Sequence, residues 1–591
     1  MEFAKLMKGA PRCIGAGILT ILLGTTTMAT AQGIPEVARD RTLITQGWDF
    51  HNQVPAVDNF NPYAGVLLHQ RNSLHYTVNE ALFYTNHMNN ELVPWLAESM
   101  SYNDDFTEVT IRLRDGASWS DGVPFTSADV VYTVEMLRAA APGMLFSTVI
   151  AEWVAEATAP DDHTVVIRLT KPGPRWAADF LATGQAGRFV VVPKHIWEGQ
   201  DAPNFANLDI DKGLPIGTGP YRLVSATPSS VIYDRRDTWW AIDAGLVDAM
   251  PGPERIVYVP ATSEAMPQLY ASNQLDMGRS IQAGAFDAIR FQNRGLVSWN
   301  TEGPVWGAPD GCVYALRFNT QAAPLDNVAV RRALSHALDR DQIVNIAYEQ
   351  SMPKAVVPFS SYQGMLAYTD VLGDRLDLAA LDKRDLDALA AEMQSAGYTR
   401  NADGKWADAD GKVLQLEMIV ATGDPSGPIL AEQLNTAGFD LVLSVQQNNA
   451  RTDAFMSGNY QIDVGPHCGS LYDPWQTLEH FHSKYAAEPG ARSTNPRAIT
   501  RYANPALDAL LDQMEATQPS PDDPAYLDLV TEALEIYLAD VPQVVFAEEL
   551  HTLVFNSTYW QGWPSAENPY IAPYLPWEGF ARVIHNLRPR D

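Results

Sequence analysis

The chain is poor in cysteine, in basic residues and in long apolar runs. Only three cysteines occur in 591 residues, so no disulfide-dense small scaffold and no multi-cysteine metal module is encoded. Lysine and arginine number 41 against 71 acidic residues, a formal charge of −30. That deficit disfavours nucleic acid and anionic membrane surfaces as partners. No stretch reaches the ~18 uninterrupted apolar residues of a membrane span. There is no internal repeat and no low-complexity linker, which suits domains that interleave rather than follow in series. His-Glu-x-x-His and Gly-x-Ser-x-Gly are both missing, so neither a zinc-protease helix nor a hydrolase elbow is present. Gly217-Thr218-Gly219 lacks the third glycine and the Lys-Ser/Thr of a nucleotide loop and reads as a turn entering a strand.

What remains is globular. The chain is 46% hydrophobic and 19% charged, and it is too long for one core. Residues 1–31 have the layout of a cleavable secretory signal: Lys5, Lys8 and Arg12, then the apolar Cys13–Leu23, then Ala29-Thr30-Ala31. Cys13 opens the apolar run rather than following it, which does not fit a lipoprotein anchor. Removing this segment, net +2, leaves a chain of charge −32 beginning at Gln32. It also leaves Cys312 and Cys468 in an oxidising compartment, as a disulfide or as two buried thiols.

Periodicity then gives a chain of α/β type. Thr42–Trp48 is a short strand. In Val109–Leu137, Val109, Ile111 and Leu113 alternate as a strand, and Thr126 or Ser127 can cap a helix striped by Val130, Val134 and Leu137. Val165–Leu169 alternates again. Val313–Asn319 is a strand followed by a turn, with Asp326 placed to cap the next helix. Asp382–Ala396 is an Ala/Leu-rich helix. Asn401–Lys412 has carboxylates but misses the EF-hand spacing and reads as a hairpin. Leu414–Val420, Ile429–Ala437 and Leu441–Val445 form a β-α-β unit, hence parallel strands. Helices near Pro505–Ala516 and Ala525–Ala539 precede a strand at Val541–Phe546. Trp119, Trp239 and Trp240 read as packing residues.

Several of these stretches resemble one family. "VTIRLRDGASWSDGVPFTSADVVYTVEML" and "LRFNTQAAPLDNVAVRRALSHALDRDQIV" are similar to signature segments of family-5 solute-binding proteins of ABC importers, the oligopeptide/dipeptide-binding type. PKHIW, IGTGPYRL and VIYDRRDTWW agree with the same family. The resemblance implies a two-lobed periplasmic-binding-protein fold (class II, cluster C) with a subdomain inserted in the first lobe. It divides the mature chain into first-lobe parts 32–80, 213–311 and 548–591, the inserted subdomain 81–212, and the second lobe 312–547. It implies a monomeric periplasmic receptor without cofactor or metal, partnered by ABC permease subunits. Cys312 and Cys468 match two cysteine positions of some oligopeptide-binding members, which implies a disulfide between them.

The segment His467-Cys468-Gly469-Ser470-Leu471-Tyr472-Asp473-Pro474-Trp475 resembles the family's cleft-lining segment in the second lobe. Peptide-binding members carry an aspartate two residues after the cysteine, paired with the ligand's α-ammonium. Here that residue is Ser470, and the family's preceding tryptophan is His467. Serine cannot neutralise a buried cation. The ending "GWPSAENPYIAPYLPWEGFARVIHNLRP" and the early FNPY loop resemble the branch that binds cello- and other β-linked oligosaccharides. A neutral oligosaccharide or glycoside is therefore expected, with an oligopeptide as the alternative and a secreted glycoside hydrolase as a remote one. Ligand-facing residues expected from the resemblance are Trp306, His467, Ser470, Tyr472, Trp475, Trp48, Asn61, Tyr63, Trp563 and Trp577. His480 and His482, as alternating positions on an exposed segment, offer a poor metal site.

Overall fold

Three sheets carry the architecture. The structure, a computed structural model, describes residues 34–64, 73–182, 189–497, 499–574 and 579–590. The expected signal segment therefore lies outside the described residues, as does Trp577. Residues 34–37 carry no regular structure, and 38–591 group as one unit.

The first sheet orders Thr42–Gln46, Arg255–Val259, Ser230–Arg235 and Tyr221–Thr227. Its first pair is parallel and the rest antiparallel. The second sheet is antiparallel, in the order Ala97–Tyr102, Glu108–Leu113, Thr164–Leu169 and Val154–Asp161. Val109, Ile111 and Leu113 face inward with Val165, Ile167 and Leu169, as period-two alternation requires. Helix Ser127–Ala139 starts in a capping box between Thr126 and Asp129. Trp119 is buried and its indole donates to Asp129 at 3.2 Å. The two sheets share one core, drawn from Leu43 to Ala308 and from Leu553 to Leu587.

The third sheet is mixed: Asp440–Gln446, Gln415–Ala421, Ile462–Cys468, Ala308–Phe318 and Gln543–His551. The β-α-β pair is parallel, as the sequence implied. Its core runs from Leu316 to Ala547. A further core joins helices Gln363–Arg375, Pro505–Ala516 and Pro524–Asp540. Ala308–Phe318 leaves the first core and enters the second, and Gln543–His551 leaves the second and leads back to the first, so the two lobes are joined by adjacent antiparallel strands. Cys312 and Cys468 stand directly opposite in register and are disulfide-bonded.

Four boundaries differ from the sequence reading, each for a local reason. Asn327, not Asp326, caps helix Val328–His336, accepting from Ala329 N at 3.0 Å, because the turn after Pro324 runs one residue further. The helix expected over 382–396 begins at Leu386, with Asp385 as its cap. The return strand starts at Gln543, because Val541 ends the preceding helix with φ 46°. The first strand stops at Gln46 rather than Trp48. The Gly217 turn is a packing feature: a Cβ there would lie 2.0 Å from the Val78 carbonyl oxygen.

Candidate ligand-binding site

A cavity of about 800 Å³ opens between the region of the second sheet and the second lobe. One wall comes from residues within 85–92 and 149–180, the other from residues within 469–515. That volume lies within the range of ligand clefts. Aromatic rings line both sides, Trp153, Trp176 and Phe180 on one and Tyr472, Trp475 and Tyr485 on the other, among charged side chains that include Glu152, Asp179, Glu479, Asp512 and Glu515.

The second-lobe wall is set by a tight loop. Ser470 N donates to Thr477 Oγ1 at 2.7 Å, and Ser470 Oγ accepts from Thr477 N at 3.0 Å. This reciprocal pair closes the turn that starts helix Trp475–Leu478 and presents Tyr472 and Trp475. Trp475 Nε1 donates to the Leu511 carbonyl at 3.0 Å, which fixes its ring. Tyr472 Oη and Gln476 Nε2 both donate to Asp179 Oδ1, at 2.7 and 2.8 Å, across the cleft.

At the edge of the cavity Arg175 enters the second lobe. Its Nε meets Asp473 Oδ2 at 2.5 Å, Nη2 donates to Tyr526 Oη at 2.6 Å, and Nη1 donates to the carbonyls of Met514, Glu515 and Thr517. Burial works against the guanidinium charge, but Asp473 together with Tyr526 and Tyr472 outweighs it and the pKa is raised. Lys171 meets Glu515 at 3.5 Å and covers Trp153 at 4.1 Å. Burial pushes the Glu479 carboxyl up, while Lys484 and a 3.1 Å bond from Tyr485 Oη pull it down.

The expected site residues separate into two groups. Tyr472 and Trp475 line the cavity. Ser470, 1% exposed, is spent on Thr477. His467 sits behind the wall, bonded to Gln543 Nε2 at 2.9 Å and to His480 at 3.0 Å. Burial, with Arg317 and Arg497 adding to it, pushes His467 down to about 3. His480 is itself buried and lines the cavity, contrary to the expected exposure of that segment. Trp48 is half-buried, edge-on to His551 at 5.1 Å, near the crossing strands. Trp306 packs on Phe286 under Arg290. Asn61 donates to the carbonyls of Ala202 and Phe205, and Tyr63 to Val190, all inside the first core. Trp563 stacks on Phe555. Sequence reasoning missed Arg175, Trp176 and Asp179. Their signal is the loop Lys171-Pro-Gly-Pro-Arg175-Trp176, whose two prolines stiffen a tip that reaches out of its own sheet.

The family model for "Bacterial extracellular solute-binding proteins, family 5 Middle" matches residues 91–488. The chain belongs to family 5 of the bacterial extracellular solute-binding proteins. Among similar curated proteins, the periplasmic oligopeptide-binding protein OppA of Salmonella typhimurium is 27% identical over 84% of this chain and 86% of its own. The probable peptide-binding protein YejA of Agrobacterium fabrum is 24% identical over 70% and 71%. A periplasmic oligopeptide-binding protein of Thermotoga maritima has a similar fold, with TM-score 0.79 and 23% identity over 94% of this chain and all of that one. Its mannohexaose-bound structure has TM-score 0.73, at the same identity and coverage. Family 5 proteins bind solutes rather than transform them, and no described helix of this member is long and apolar enough to cross a membrane.

Proposed function

We propose that the protein is the periplasmic receptor of an ABC importer and holds a neutral oligosaccharide or glycoside between its lobes for delivery to the permease subunits. One observation carries the ligand class: six aromatic side chains line the cavity, while three of its five carboxylates are already engaged by the protein. Asp179 accepts from Tyr472 and Gln476, Glu479 from Tyr485, and Glu515 pairs with Lys171. A ligand ammonium would find Glu515 already paired with Lys171, and Asp179 and Glu479 already accepting hydrogen bonds. A pyranose presents apolar faces to Trp153, Trp176 or Trp475 and hydroxyls to the polar rim without displacing any charge. In this reading 32–80, 213–311 and 548–591 form the first lobe, 81–212 its inserted subdomain and 312–547 the second lobe. The lobes close as a hinged trap in a monomer that needs no cofactor.

An oligopeptide is the second reading. The names of OppA and YejA favour it, and Glu479 offers a buried carboxyl in the wall. Calorimetry with di- to pentasaccharides and a tri- to pentapeptide pool separates the two. Micromolar heat from sugars, lost in Trp475→Ala, is the expected result. Peptide binding with silence toward every sugar overturns the sugar reading and leaves the receptor role standing.

A further inference from the structure

The two strands that join the lobes carry a cluster outside the cavity just described. Asp310 lies on the crossing strand Ala308–Phe318, and Glu549 and His551 lie on the return strand Gln543–His551. Strand pairing jumps here from Pro309 opposite Leu550 to Val313 opposite Glu548. Asp310, Gly311 and Cys312 therefore bulge against a single residue, Glu549. Bulges of this kind re-aim a side chain, and this one turns Asp310 onto the return strand. One ligand atom each from Asp310, Glu549 and His551 lies within 4.8 Å of the other two. His551 Nε2 is 2.9 Å from Asp310 Oδ2 and 4.0 Å from Glu549 Oε1. The three side chains are only 10–13% exposed.

We propose that Asp310, Glu549 and His551 bind a divalent cation of the zinc class at the junction of the lobes. The donor set is one imidazole nitrogen and two carboxylate oxygens, which suits a borderline cation with a fourth position for water. Calcium and magnesium, which call for about six or more oxygens, fit it poorly. The orientation of the imidazole supports the assignment. His551 Nδ1 is 3.2 Å from Ser280 Oγ, so the outer nitrogen has a hydroxyl to hold it and Nε2 faces the carboxylates. Trp48 and Tyr574 pack edge-on against the same ring, at 5.1 and 5.5 Å, and limit its rotation. Tyr314 Oη lies 3.5 Å from Glu549 Oε1, the oxygen that faces His551. Binding requires His551 neutral at Nε2, so the cation replaces whatever proton the His551–Asp310 contact shares. With its ligands on both joining strands, the cation ties those strands together. The site is separate from the aromatic cavity, so the inference stands whichever solute that cavity takes.

The test uses the mature protein, disulfide intact, stripped with chelator and titrated with Zn²⁺ and, as a spectroscopic probe, Co²⁺. One equivalent should bind, and X-ray absorption should show nitrogen and oxygen but no sulfur neighbours. Glu549→Gln and His551→Gln should each weaken binding by more than the 10- to 100-fold that outer partners are worth. Zn²⁺ should raise the melting temperature of the parent but not of Glu549→Gln. Asp310→Asn supplies a second variant if His551→Gln fails to fold. Failure to bind at millimolar Zn²⁺, or binding that these substitutions leave unchanged, overturns the proposal.

Discussion

Replacing Arg175 by alanine tests how the two lobes are held together. The guanidinium reaches from the Trp176 side of the cleft into a pocket formed by Asp473, Tyr526 and the C-terminal end of helix Pro505–Ala516. Asp473 has no exposed side-chain surface and Arg175 has 5%. Removing one partner of such a buried pair costs about 3–5 kcal/mol, because the other is left charged and dry. Here the cost has an escape. When the lobes part, Asp473 and the Met514, Glu515 and Thr517 carbonyls regain water. The penalty therefore falls on the closed conformation and not on the fold of either lobe. At 1.4 kcal/mol per decade, the closed-to-open ratio should drop by roughly 150- to 5,000-fold. Small-angle scattering should show a larger radius of gyration for Arg175→Ala, while its denaturant midpoint changes little. Arg175→Lys should be intermediate, since an ammonium keeps the charge but not the fork that meets three carbonyls. An unchanged radius together with a loss of about 3–5 kcal/mol in global stability would refute the reasoning. Arg175 would then be an ordinary core ion pair.

Three further outcomes follow from the same geometry. The disulfide closes a loop with a sequence separation of 156, worth up to about 5 kcal/mol in the chain-entropy model; Cys312→Ala/Cys468→Ala should lose most of that in urea titration, and the idea fails if reductant leaves the wild-type midpoint unmoved. Gly217→Ala forces a Cβ against the Val78 carbonyl at 2.0 Å, so about 3 kcal/mol or more should be lost; a neutral substitution would mean that the turn relaxes freely. His467, held near 3 by burial, makes the folded state bind fewer protons than the unfolded chain at acid pH. Stability is therefore present above the unfolded value near 6.5 and lost as pH falls below it, by about 2 kcal/mol at pH 5. His467→Gln should show a pH slope shallower by that amount, and equal slopes for both proteins would contradict the assigned burial effect.

The fold was legible to the extent that its signals are local. The β-α-β unit, the capped helix Ser127–Ala139 and the strand Glu108–Leu113 are each written in periodicity and caps within a dozen or so residues. One boundary shifted where two neighbouring residues could both serve as a cap, Asp326 and Asn327, and the return strand began late because Val541 still belongs to the end of the preceding helix. The site was far less legible. Arg175 and Asp473 lie 298 positions apart, and Asp310 and His551 lie 241 apart. Spacing rules that search for ligands within one helix or loop cannot find such pairs. Aromatic residues are hard to assign for a related reason. Tyr63, Trp306 and Trp563 have the composition of a sugar site and lie buried, where large rings cover the most apolar surface, and Asn61 is buried beside them on backbone carbonyls.

Ser470 shows how a departure from a family pattern should be read. On sequence alone it argues about ligand charge, because an aspartate in its place could pair with an ammonium. In the structure its hydroxyl points back to Thr477 and builds the loop. The residue therefore has two readings: it leaves out a charge behind the cleft wall, and it fixes the turn that carries Tyr472 and Trp475. Ser470→Asp separates them. If the loop tolerates the change, the introduced carboxylate stands behind a wall in which Asp179, Glu479 and Glu515 are engaged, and free-amine peptides should gain affinity while sugars lose little. If the carboxylate repels the Glu479 side or breaks the Thr477 pair, affinity for every solute should fall together with the melting temperature. A protein that folds normally and gains nothing for peptides would show that this position does not set ligand charge, and the neutral-solute assignment would then rest on the engaged carboxylates Asp179, Glu479 and Glu515 alone.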